Sequence, residues 1–133
     1  MQYVDSSALV KRYLREPDSA IANGLLDADR EWVTSAITEV EVRRVLAIRL
    51  APDRVATVRS RLLRDLERSA VVAVDATTVG LAASLAEATG VRSLDALHLA
   101  SMQRLASRAM RLVTFDVRMA AAARDLGISV LGA

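Results

Sequence analysis

Five short apolar runs alternate with longer stretches of helical spacing, and that alternation limits the fold more than any other feature of the sequence. The runs are Gln2–Val4, Trp32–Thr34, Val71–Val74, Leu112–Thr114 and Ser129–Leu131. Each is rich in β-branched residues and too short to be helical on its own, as strands covered on both faces are. Strands separated by helices can pair in parallel only through crossovers, so the chain is predicted to be an α/β domain. A parallel sheet would carry helices on both faces.

The helical segments carry their own start and stop signals. One runs from about Ser7 to Leu14, and Pro17 opens a second that reaches about Asp27. Thr34 or Ser35 is placed to cap a helix running to Leu50, and Pro52–Asp53 opens another ending near Arg68. Thr77–Ala88 stops at Gly90, Ser93 is placed to cap "LDALHLASMQRLASR", and Val117–Leu126 stops at Gly127. The stretch Thr77–Ala86 is the longest without a charge. It falls well short of a bilayer span and is expected to be a buried helix.

At 133 residues, with no linker or repeat, the whole of 1–133 is expected to form one domain. Cysteine is absent, which rules out thiolate zinc sites and disulfides and fits a reducing cytoplasm. Asp5 interrupts any secretory signal core at the start, so a soluble cytoplasmic protein is expected. The formal charge of +2 is too small to establish nucleic-acid binding, and four aromatic residues are too few for a base-stacking platform. Arg54, Arg61, Arg64 and Arg68 oppose the apolar stripe Val55, Val58, Leu62 and Leu66. That arrangement reads first as a solvated helix face.

Four carboxylates stand in apolar settings. Asp5 ends the first strand and Asp116 follows "LVTF", the end of another. Ligands of open parallel sheets collect outside the carboxyl ends of strands, where strand order reverses. Both aspartates are equally well placed to cap the helices that follow them. Asp95 lies in the first turn of the apolar helix "SLDALHLA", where the helix dipole alone favours it. Glu41 is the sharpest anomaly. At roughly 100° per residue it falls in the middle of a stripe formed by Ile37, Val45 and Ile48, whereas Glu39 points toward Val42 and Leu46. An ion pair with Arg44 would account for Glu41, and so would a divalent cation.

Taken together, Asp5, Glu41, Asp95 and Asp116 form an all-oxygen donor set. Without cysteine and with one histidine, it suits Mg²⁺ or Mn²⁺ rather than Zn²⁺. Hard cations held by Asp and Glu polarise a phosphodiester and activate water for in-line attack. His98, one turn beyond Asp95, reads as a packed, hydrogen-bonded histidine and is left out of the site.

The segments "YVDSSALVKRY", "TSAITEVEVRRVL", "SLDALHLASM" and "LVTFDVRMAAAARDLGISVL", in this order and spanning the chain, resemble the PIN-domain ribonucleases. Within that family the chain is most similar to the VapC-type toxins of toxin–antitoxin pairs. The resemblance implies a five-stranded parallel sheet of order 3-2-1-4-5. It makes Asp5, Glu41, Asp95 and Asp116 the catalytic, metal-holding acids, with Ser6 and Thr114 as hydroxyls beside them. It further implies a Mg²⁺-dependent endoribonuclease acting on RNA such as tRNA, inhibited by a VapB-type antitoxin and assembled as a homodimer. Glu39 is an additional acid next to the second of these positions. Phosphatases of the haloacid dehalogenase type also end their first strand in Asp. They need a second Asp two residues on, where this chain has Ser7. A catalytically silent PIN-like binding module is the remaining alternative, and it would be expected to carry a damaged acid set.

Overall fold

The computed structural model describes residues 1–105 and 109–133. Its elements follow as β1 (Gln2–Val4), α1 (Ser6–Tyr13), α2 (Ser19–Ala28), β2 (Trp32–Ser35), α3 (Ile37–Arg49) and α4 (Pro52–Glu67). These are followed by β3 (Ala70–Val72), α5 (Ala76–Thr89), α6 (Ser93–Arg104), β4 (Arg111–Thr114), α7 (Val117–Asp125) and β5 (Val130–Gly132). All five strands pair in parallel, in the order β3-β2-β1-β4-β5. That is the order the family resemblance implies, and it makes β1 and β4 neighbours at the switch point.

Alternation along the strands divides the core in two. Val4 and Val113 face one side, where they meet Leu9 of α1, Leu26 of α2, Leu46 of α3 and Leu62 of α4. Tyr3, Val33 and Leu112 face the other, against Leu99 of α6 and Met119 of α7. In α4 the stripe Val58 and Leu62 is buried and the arginine side is exposed, as the sequence pattern predicts. Gly90 and Gly127 end their helices at positive φ, a conformation glycine adopts without steric cost.

Several local expectations are corrected. Helix α2 begins at Ser19 and not at Pro17, because the Ser19 hydroxyl accepts from the Glu16 amide and donates to the Leu14 carbonyl, which holds this stretch as a turn. Ser93 is the first helical residue of α6, and Arg92 occupies the cap position without a side-chain cap bond. Thr34 donates to the Val4 carbonyl instead of capping α3, while Ser35 Oγ accepts a long 3.4 Å bond from the Ile37 amide. The last residues of "LDALHLASMQRLASR", 106–108, lie outside the described residues. Helix α5 is not buried: only Thr78 and Ala82 are, and Val79 is 50% exposed. It packs on α6 through small residues, Ala82 against Ala96 and Ala100, which leaves its outer side in solvent.

Candidate metal centre

The carboxyl ends of β1 and β4 supply two of the acids. Register pairs Val4 with Val113, and the Asp5 amide donates to the Val113 carbonyl. Asp5 itself is only 4% exposed. Its Oδ1 accepts from Ser7 Oγ at 2.7 Å and from the Ala8 amide at 3.0 Å, and its Oδ2 accepts from Thr114 Oγ1 at 2.7 Å. Burial pushes its carboxyl above the ordinary aspartate value, although these three hydrogen bonds act in the opposite direction. A carboxylate held this way has surrendered its water shell and gains from any cation that comes near.

Asp116 is fixed as the cap of α7: Oδ1 accepts from the amides of Arg118 at 2.8 Å and Met119 at 3.1 Å. Its partial burial opposes the charge. Hydrogen bonds from Arg92 and from these amides outweigh that, and hold the carboxyl below its ordinary value. The capping readings of Asp5 and Asp116 are therefore both true, and in each the helix amides use Oδ1.

Asp95, in the first turn of α6, accepts from Arg92 Nε at 2.8 Å, while Arg92 Nη2 donates to Asp116 Oδ2 at 2.7 Å. Glu41 Oε1 lies 2.7 Å from His98 Nε2, and His98 Nδ1 lies 2.9 Å from the buried Tyr3 hydroxyl. Burial raises the Tyr3 pKa, so this hydroxyl stays protonated. A carboxylate can only accept, so Nε2–H donates to Glu41. His98 is packed, 3% exposed and fully bonded as expected, yet one of its bonds is to a candidate ligand.

The expected apolar stripe of α3 is corrected. Its buried face is Thr38, Val42 and Leu46, whereas Ile48 is 65% exposed. Glu41 stands at one edge of that face with Ile37 and Val45, and Glu39 at the other edge, paired with Arg43 at 2.8 Å. Arg44 is not the partner of Glu41 in the described ion pairs; His98 is. Ser6 lines the cavity, but the hydroxyl that ties the site together is that of Ser7, which also accepts from the Phe115 amide at 2.8 Å.

These side chains surround one cavity of about 300 Å³, lined by Asp5, Glu41, Asp95 and Asp116 together with Ser6, Ser7, Arg92, Ser93, Leu94 and His98. Thr114 sits beneath it through Asp5. A larger cavity of about 510 Å³ shares Ser6, Ser7, Glu41 and Leu94, and continues along Val10, Val45 and Phe115. In kind, the donors fit a hard divalent cation: carboxylates backed by hydroxyls, no sulfur, and an imidazole whose two nitrogens are both engaged. In the present arrangement no three of them, among the described residues, stand close enough together to share one ion. Arg92 instead spans Asp95 and Asp116. His98, left out of the site on sequence, lines the cavity and bonds Glu41, and Arg92 and Ser7 are the site residues the sequence reading missed. A basic residue three positions before an acid at a helix start, and a hydroxyl two positions after Asp5, were the only signals for them.

The family model described as "PIN domain" matches residues 2–125. "Ribonuclease VapC46" of Mycobacterium tuberculosis is 38% identical over 97% of this chain and 95% of its own length. "Ribonuclease VapC35" of the same species is 39% identical, covering 98% and 96%. Among solved structures, Mycobacterium tuberculosis VapC20, described as a sarcin–ricin loop cleaving toxin, superposes with a TM-score of 0.76 at 18% identity, over 92% of this chain and 95% of that one. Neisseria gonorrhoeae FitAcB superposes with a TM-score of 0.73 at 20% identity, over 98% and 96%. At those identities the structural likeness speaks for the fold alone. The match over most of the chain and the full-length relatives together settle the family: this protein belongs to the PIN-domain family and is a relative of the VapC ribonucleases.

Proposed function

We propose that residues 1–133 form one nuclease domain, a Mg²⁺- or Mn²⁺-dependent endoribonuclease that serves as the toxin of a toxin–antitoxin pair in the cytoplasm. The observation that carries this reading is the convergence of four acids from four separate elements on one cavity at the carboxyl end of the sheet. Acids so placed repel one another, and a cation is the usual remedy. A bound divalent ion supplies Lewis acidity toward a phosphodiester and a water of lowered pKa. Asp5, Glu41, Asp95 and Asp116 would hold it.

The chain's own part is positioning. Ser7, Thr114 and the Ala8 amide fix Asp5, the first turn of α7 fixes Asp116, and His98 orients Glu41. These three acids thus keep their directions without the substrate.

Purified protein should cleave RNA, including tRNA, in Mg²⁺ or Mn²⁺, stop in EDTA, and resume when the metal is restored. Undiminished cleavage in EDTA would sink the metal mechanism. Absence of cleavage in either metal, with partner binding intact, would turn the reading to a silent binding module.

A VapB-type antitoxin and a second copy of the chain are the partners in this reading. Helix α3 supports the latter, since it exposes Val40 and Ile48 (61% and 65%) on a side its own core does not use. Light scattering should give a homodimer, and a larger complex when the antitoxin is co-expressed. Among the described residues no helix is long and apolar enough to cross a membrane.

A further inference from the structure

We propose that Arg92 is a built-in cation that competes with the divalent metal for Asp95 and Asp116, so that the charge of the apo site is partly offset from within and the metal must displace it. The proposal rests on the metal-dependent reading of the site. One guanidinium reaches two carboxylates from different elements. Nε donates to Asp95 Oδ2 and Nη2 to Asp116 Oδ2, at 2.8 and 2.7 Å. The other oxygen of Asp116 is committed to the α7 amides, so Oδ2 is the atom it has left to offer a metal, and Arg92 holds that atom. A cation shared by Asp95 and Asp116 would meet the Arg92 guanidinium at that atom.

Two further observations bear on the same point. The Arg92 side chain is half exposed, so it can leave for solvent without opening the core, whereas the Asp95 side chain beneath it is mostly buried. Asp116 keeps its orientation through the α7 cap with or without Arg92, so removing the arginine does not disorganise that ligand. Loss of Arg92 would thus take away a competitor and a like charge, and would leave the donors in place. Both effects favour the metal.

The test is a titration with Mn²⁺ alone at constant ionic strength, reading free Mn²⁺ by electron paramagnetic resonance, so no turnover is involved. Arg92→Gln should bind Mn²⁺ about five- to tenfold more tightly than the parent. Arg92→Lys keeps the charge but not the planar fork that spans both aspartates, and should fall between them. Arg44→Gln, which removes a positive charge lining the neighbouring cavity, should change the affinity less than about twofold. Tighter binding by both Arg92 variants, or binding by Arg92→Gln where the parent binds none, supports the proposal. If the parent binds Mn²⁺ and cleaves RNA in an EDTA-sensitive way, but the Arg92 variants bind equally or more weakly, the competition is wrong and the metal mechanism stands. If no variant binds Mn²⁺, there is nothing for Arg92 to compete with and the proposal falls, and cleavage that persists in EDTA would identify the metal reading as its cause.

Discussion

Asp5→Asn should cut RNA at least about a hundredfold more slowly than the parent and yet unfold at a higher temperature at neutral pH. The two halves of this expectation come from one buried charge. Asp5 is bonded to Thr114 and Ser7 and nearly sealed from solvent, and burial raises its carboxyl pKa. The folded state therefore binds the Asp5 proton more tightly than the unfolded chain does. Stability from this group is complete below the ordinary value of 3.8 and is lost as pH rises through the raised folded value. Above that folded value the parent carries the cost of an ionised, desolvated carboxylate.

Asparagine has the same shape and cannot ionise. Its carbonyl can accept from Ser7 and the Ala8 amide, and its amide can donate to Thr114 Oγ1, which turns its own proton away. The gain in stability over the parent should grow as pH rises and vanish in acid, where Asp5 is protonated too. Thermal or denaturant unfolding across that range, beside a cleavage assay, reads both halves. Cleavage within a few-fold of the parent would remove Asp5 from the metal site. A variant less stable than the parent at neutral pH would mean that its hydrogen bonds outweigh its desolvation.

The four acids were legible in the sequence because each breaks a local pattern. Asp5 and Asp116 end buried strands, Asp95 interrupts an apolar helix start, and Glu41 sits beside apolar neighbours. The sheet was legible for a related reason, since short β-branched runs separated by helices leave few pairings to choose from. What holds the acids was not legible. The bonds from Thr114 to Asp5, His98 to Glu41 and Arg92 to Asp116 join residues 109, 57 and 24 positions apart, and depend on how helices turn against the sheet. Helix α3 shows the difficulty, with apolar residues around most of its circumference. Ile37, Val45 and Ile48 read as the core stripe, but the buried face is Val42 and Leu46, with Thr38 one turn before them and bonded to Thr34. In α5 the failure had another source. The run is mostly Ala, Gly, Ser and Thr, which have little apolar area to bury, so a layer resting on α6 was enough, and Val79 and Leu81 stay exposed.

Glu41→Gln should cost about a hundredfold or more in RNA cleavage and weaken Mn²⁺ binding, whereas Glu39→Gln should stay within about threefold of the parent on both counts. The two glutamates are two residues apart on α3 and so project about 160° from each other, which prevents both from entering one site. Their surroundings decide which one enters. Glu41 is three-quarters buried at the cavity wall, where His98 takes one of its oxygens and leaves the other for a cation. Glu39 pairs with Arg43 one turn on, with both side chains more than two-fifths exposed; such pairs contribute about 0–1 kcal/mol.

In Glu41→Gln the side-chain carbonyl would still accept from His98, so the Tyr3–His98 pair and the packing of α6 against the sheet should survive. The loss would then be one of charge at the cavity and not of fold. Removing one of several mutually repelling acids should also leave the metal-free protein at least as stable as the parent. Unfolding midpoints for both variants, measured beside Mn²⁺ titrations and cleavage rates, separate these effects. If Glu39→Gln kills cleavage and Glu41→Gln spares it, α3 presents its other edge to the metal in the working enzyme, and Glu39 would be the second acid of the site.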